Sequence, residues 1–173
     1  GNLKEAELSL RKAIRLKPNF AIAYSNLGLI LRDLGNLQDA EISLRKAIKI
    51  KPDFAEAYSN LGNTLKDLGN LKQAEISTRK AIELNPDYAE AHSNLGGIFK
   101  DNGKLQEAEV SQRKAIELNP KNAISHSNLG ITLRDLGKLK DAELSIRKAI
   151  ELNPALAMAH KNLSLILKDI GNL

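Results

Sequence analysis

The 173-residue chain is 42% apolar but only 3% aromatic, so it has ample material for a buried core, built on Leu, Ile and Ala. It has no cysteine, which excludes disulfides and thiolate chemistry, and no run of about 18 apolar residues suited to a membrane span. Its net charge of +5 is uneven: residues 1–54 carry ten basic and six acidic side chains, the remainder sixteen and fifteen. With no signal-like opening and no initiator methionine, a cytoplasmic fragment or processed chain is expected.

The chain opens on GNLKEAELSLRKAIRLKP at Gly1, and close copies begin at Gly35, Gly69, Gly103 and Gly137; GNL at Gly171 starts another. A fixed period of this kind marks a repeat array. Each unit predicts two helices. One opens after an asparagine N-cap such as Asn36, carries Ala40, Leu44, Ala47 and Ile48 at helical spacing, and stops at Pro52. The next is expected to start at Asp53, with Glu56 completing a capping box, and to run through Tyr58, Leu61, Gly62 and Leu65 to Gly69. Ten helices follow, the first and last without hairpin partners. Gly28, Gly62, Gly96 and Gly130 read as sites of close helix approach against Ala40, Ala74, Ala108 and Ala142.

This pattern resembles the tetratricopeptide repeat. Counted from Ala21, the aromatic, Leu, Gly and large apolar positions of that family's first helix match Tyr24, Leu27, Gly28 and Leu31. Its Ala, bulky, Ala and Pro positions match Ala40, Leu44, Ala47 and Pro52. The match recurs at 55–88, 89–122 and 123–156, flanked by a second helix at 1–20 and a first helix at 157–173, so one array over 1–173 is expected. Thr78 and Gln112 stand where the family has a bulky apolar residue, and Ser164 where it has glycine, so looser packing is expected there. The resemblance implies an all-α solenoid, a superhelix of antiparallel helix pairs.

AYSNLG at Ala23 recurs as AYSNLG, AHSNLG and SHSNLG, and a fifth copy, AHKNLS, still keeps the asparagine. Residues on one helix face are spaced by three or four, so Asn26 shares a stripe with Ile22, Leu29 and Asp33. The stripe continues as Glu56, Asn60, Asn63, Asp67; Glu90, Asn94, Gly97, Asp101; Ile124, Asn128, Ile131, Asp135; and Met158, Asn162, Leu165, Asp169. In the family the first helix lines a concave wall, and the stripe resembles the peptide-binding groove of the repeat arm of O-linked N-acetylglucosamine transferases. A carboxamide both donates and accepts, so it suits a peptide backbone. The candidate peptide-contacting residues are Asn26, Asn60, Asn94, Asn128, Asn162, Asp33, Asp67, Asp101, Asp135, Leu29, Asn63 and Ile131. Two alternatives stay open: the asparagines brace neighbouring helices instead, and the aspartates pair with the adjacent Arg32, Lys66, Lys100 and Arg134.

Other signals lead to bland readings. The recurrent arginine at Arg11, Arg45, Arg79, Arg113 and Arg147 follows a glutamate by four residues, as in a solvated face laced by ion pairs. His92, His126 and His160 occupy the position of Tyr24 and Tyr58, one per unit, which is too far apart for a shared metal and reads as half-buried packing. Few aromatics are available to stack bases, so nucleic acid is not an expected partner. No catalytic constellation, cofactor or metal is read, and no membrane partner. The expected function is a protein-interaction scaffold for an extended peptide or partner protein, the alternative being the substrate-docking arm of a larger transferase. Apolar residues on the end helices, Leu3, Leu10, Ile14, Leu163 and Leu167, are expected to be exposed and to allow weak head-to-tail self-association.

Overall fold

The computed structural model describes residues 2–171, and these form ten α-helices. They are α1 (Leu3–Leu16), α2 (Ala21–Asp33), α3 (Leu37–Ile50), α4 (Ala55–Asp67), α5 (Leu71–Leu84), α6 (Ala89–Asp101), α7 (Leu105–Leu118), α8 (Ala123–Asp135), α9 (Leu139–Leu152) and α10 (Ala157–Gly171). Gly1, Asn172 and Leu173 lie outside the described residues.

The punctuation is local chemistry. A residue before proline is pushed out of the α region, and Lys51 accordingly adopts φ −131°, ψ 91°, ending α3 one residue ahead of Pro52. At the other turn Gly35, Gly69, Gly103 and Gly137 take φ of 74 to 81°. Each sits in a Schellman turn: Gly35 N donates to Arg32 O at 2.9 Å and Asn36 N to Leu31 O at 2.8 Å, with the same pair of bonds at the other three glycines.

The helix starts differ from expectation. Asn36 stands at the N-cap position of α3, but its side chain makes no capping bond. Asp53 and Glu56 form no capping box, because Asp53 is held in a turn, where Phe54 N donates to Lys51 O, and α4 begins at Ala55 behind Phe54. In the corresponding place before α8 the aromatic is replaced by Asn122, whose Oδ1 accepts from Ile124 N at 2.9 Å and Ser125 N at 3.2 Å.

The chain divides into two compact units, residues 1–86 and 87–173. In the first, α2 packs on α1, α3 and α4, and α4 on α3 and α5. One core cluster joins Leu27, Leu31 and Ala40 to Leu10 and Ile14; another joins Ala47, Phe54 and Ala57 to Tyr24. In the second unit α8 packs on α6, α7, α9 and α10, around Leu129, Leu133, Ala142, Ile146, Ala149, Ala159 and Ile166. Each unit is a stack of helix hairpins.

Close approach to the expected alanines is found at three of the four helix glycines, where the carbonyl oxygens of Ala74, Ala108 and Ala142 would lie 3.2 to 3.3 Å from an added Cβ, but at all four a side chain comes nearer. A Cβ on Gly28 would lie 2.5 Å from Leu44 Cγ, and one on Gly130 2.6 Å from Ile146 Cδ1; the carbonyl oxygen of Ala142 comes second, at 3.2 Å. The residue sixteen positions on fills the space, since its longer side chain reaches across the hairpin. Thr78 and Gln112 occupy that same place beneath Gly62 and Gly96. Both are fully buried, and neither Thr78 Oγ1 nor either polar atom of Gln112 has a hydrogen-bond partner.

The end helices also depart from expectation. Leu3, Leu10 and Ile14 are partly buried, the last two against α2, and the large apolar residues that α1 exposes are Leu8 and Leu16. On α10 Leu163 is partly buried and Leu167 exposed. Ser164 is exposed as well.

Candidate peptide-binding site

The first-type helices α2, α4, α6, α8 and α10 carry the asparagine stripe, and the structure does not treat its members alike. In residues 1–86, Asn26 is exposed, whereas Asn60 is only 7% exposed and its Nδ2 donates to Ser25 Oγ of the preceding first-type helix, at 3.5 Å. That is the long limit of a hydrogen bond. In residues 87–173, Asn128 repeats the contact with Ser93 Oγ at 3.5 Å, and Asn94 is partly buried. Asn162 is 8% exposed, and its Nδ2 is buried without a partner.

These bonds run between helices 35 residues apart in sequence. They give a role to two of the serines that precede the first four asparagines, Ser25 and Ser93; Ser59 and Ser127 are buried as well, and Lys161 stands in this place before Asn162. The serine hydroxyl was missed in the sequence because its partner lies in another repeat.

Around the asparagines the stripe is aliphatic on α2, α8 and α10, and on α4 and α6 it carries the exposed Glu56 and Glu90 instead. Ile22, Ile124 and Met158 are at least half exposed, Leu165 is exposed, and Leu29 and Ile131 are partly buried, as is Asn63. Asn26 and Leu29 line a hollow of about 420 Å³ with Ala6, Ser9, Leu10 and Ile30.

Two of the aspartates at the end of the stripe, Asp67 and Asp169, pair across repeats. Asp67 accepts from Arg32 Nε at 2.8 Å, against 3.9 Å to the neighbouring Lys66. Asp169 accepts from Arg134 Nε at 2.6 Å, and this bond raises the guanidinium pKa above its ordinary value. Asp101 has Lys100 at 3.1 Å, while Asp33 and Asp135 are exposed. The same reach between neighbouring first-type helices serves both the Asn–Ser and the Arg–Asp contacts.

On the second-type helices the expected pairs are present: Arg11–Glu7, Arg45–Glu41 and Arg147–Glu143 at 2.8 Å, Arg79–Glu75 at 3.0 Å and Arg113–Glu109 at 2.9 Å. His126 and His160 do more than pack. Their Nε2 atoms lie 3.0 and 2.8 Å from the carbonyl oxygens of Pro120 and Pro154, and toward a carbonyl that nitrogen must be the donor. His160 is exposed rather than half-buried. Among the described residues no three His, Asp or Glu side chains gather where a metal could bind, and no helix is long and apolar enough to cross a membrane.

The helix-hairpin repeat defines an all-α solenoid class. The sequence matches the tetratricopeptide repeat over residues 9–42, 55–88, 78–110 and 112–143, and a TPR repeat description over 28–69, so the chain belongs to the tetratricopeptide repeat family. It is similar to the crystal structure of MamA, with 27% identity, a TM-score of 0.73 and coverage of 89% of this chain and 90% of that one. A second similar structure is YrrB, described as a TPR protein with an unusual peptide-binding site, at 26% identity and TM-score 0.69, covering 92% and 82%. The thermophilic TPR protein TTC0263 of Thermus thermophilus shares the fold at TM-score 0.86 and 22% identity, over 96% and 91%. No curated protein matches the sequence significantly.

Proposed function

We propose that this chain is a protein-interaction scaffold whose first-helix faces hold extended peptide. The observation that carries the reading is the stripe itself: asparagines at a fixed register, flanked by solvent-exposed Ile22, Ile124, Met158 and Leu165. The likeness to a TPR protein with a peptide-binding site supports the same class of role.

In this reading the serine contact and ligand binding are complementary. Ser25 and Ser93 hold the Nδ2 of Asn60 and Asn128, which orients each carboxamide and leaves its oxygen to accept from a peptide N–H. Each such bond nets about 0.5–1.5 kcal/mol, while ordering a peptide residue costs about 1–2 kcal/mol. Affinity therefore rests on the aliphatic residues of the stripe and is modest.

The test is a peptide array probed with the wild-type chain and with an Asn60→Ala, Asn94→Ala, Asn128→Ala variant. Peptides retained by the wild type should be lost by the variant, with a melting temperature lowered by only a few degrees. A variant that keeps the same peptides would show that the asparagines only brace the helices.

A further inference from the structure

Leu8 and Ile42 are each 66% exposed and Ile76 54%, and the three hold one register position on successive second-type helices, α1, α3 and α5. Single exposed aliphatics are ordinary. These line grooves. Between α1 and α3 runs a groove of about 730 Å³ floored by Tyr24 and Leu27 of α2, with Leu8, Ile14 and Ile42 on its walls. Between α3 and α5 runs one of about 650 Å³ floored by Tyr58 and Leu61 of α4, with Ile48 and Ile76.

The cations beside these grooves are unusual for this chain. Lys80, Lys114 and Lys148 each pair with a glutamate three residues on, at Glu83, Glu117 and Glu151. In α1 and α3 that later position is Arg15 and Lys49, so Lys12 and Lys46 face another cation instead. Among the described residues Arg15, Lys46 and Lys49 pair with no carboxylate. Arg15 and Lys46 line the α1–α3 groove, which has no acid in its lining, and Lys49 lines the next.

We infer that the second-helix face of residues 1–86 is a docking surface, separate from the first-helix stripe, for an acidic protein segment bearing aliphatic side chains. Aspartates or glutamates of the partner supply the carboxylates that α1 and α3 lack, and its aliphatic groups cover Leu8, Ile42 and Ile76. RNA fits less well, because base stacking needs exposed aromatic faces and the two tyrosines are partly buried in the groove floors. A bilayer is flat, and the aliphatic lining here is concave.

The probe is a fluorescein-labelled synthetic peptide of Leu, Ile, Asp and Glu, titrated by anisotropy, beside its Asn/Gln counterpart, an RNA oligonucleotide and phosphatidylserine vesicles. The acidic peptide should bind in preference to the other three. Leu8→Ser with Ile42→Ser, and Arg15→Glu with Lys46→Glu, should each weaken it about tenfold or more, since a buried aliphatic side chain or a complementary charge pair contributes on that scale. The charge-reversed protein should gain affinity for a Lys/Arg version of the peptide, a readout that a misfolded variant cannot give. The asparagine triple variant should bind the acidic peptide as the wild type does, which separates this surface from the first-helix stripe. Indifference to the groove substitutions, failure of charge reversal to switch preference, or tighter binding of RNA or vesicles would overturn the inference.

Discussion

Gly96 and Gly97 are adjacent residues of one helix with opposite structural roles. A Cβ on Gly96 would lie 2.5 Å from Gln112 Cγ and 3.2 Å from the carbonyl oxygen of Ala108, whereas one on Gly97 would meet nothing within 4 Å. Gly96→Ala should therefore destabilise by about 1–3 kcal/mol through overpacking. Gly97→Ala should stabilise by about 0.5–1 kcal/mol, because glycine in a helix interior carries excess unfolded-state entropy. Urea denaturation of the two variants reads the difference in sign. Gln112 is the complementary case. It is 1% exposed with both polar atoms unpaired, at the place taken by Leu44 and Ile146 in other hairpins. Burying an unbonded amide costs about 1–3 kcal/mol, so Gln112→Leu should raise the melting temperature by several degrees. A fall would mean that the amide has a partner in solution.

Between elements, contacts of polar side chains join helices of the same type. On the first-helix side they are Arg32–Asp67 and Arg134–Asp169. On the second-helix side Lys138, at the start of α9, donates to Glu109 of α7 at 2.7 Å. That bond is the largest cause of a Glu109 pKa below its ordinary value near 4.5, with Arg113 adding and burial opposing. A carboxylate whose folded pKa is depressed contributes stability above its unfolded pKa and loses it as pH falls through the folded one. Glu109→Gln should thus lower the melting temperature at pH 7 and converge with the wild type in acid, below the ordinary glutamate range. Parallel melting curves at every pH would show that the carboxylate is not held by Lys138. The pair remains partly solvated, so the effect is small.

Over the molecule as a whole, the two helix types differ in their charges more than in their aliphatics. First-type helices show amides, aliphatics and Arg–Asp pairs between repeats; second-type helices show Arg–Glu pairs within one helix and exposed aliphatics such as Leu8 and Ile42, and α1 and α3 also show cations without carboxylate partners. Salt separates the two proposed surfaces. Peptide captured by the asparagine stripe should be little affected as ionic strength rises from low salt to about 0.5 M, while the acidic peptide on the second-helix face should be released, because exposed charge attraction is screened over a few ångströms there. Equal salt dependence at both faces would remove the distinction drawn between them.

Much of this was legible in the sequence. The 34-residue shift, the ten helices, the Pro and Gly stops and the Arg–Glu pairs depend on residues within a few positions of one another, so backbone sterics and helical spacing suffice. The register of the asparagine stripe was equally readable. Its exposure was not: whether Asn26 or Asn60 meets solvent depends on whether another first-type helix covers it, and a serine 35 residues away decides where the Asn60 amide goes. The capping box at Asp53 failed for a related reason, since the turn after Pro52 held that residue outside the helix. The sequence by itself thus determined the repeat, the helices and their local pairs, because short-range geometry dictates them. Only the tertiary structure decided which polar groups are consumed between helices, which partner fills the space beneath each glycine, and where aliphatic grooves open beside unpaired cations, because each depends on neighbours brought together through space.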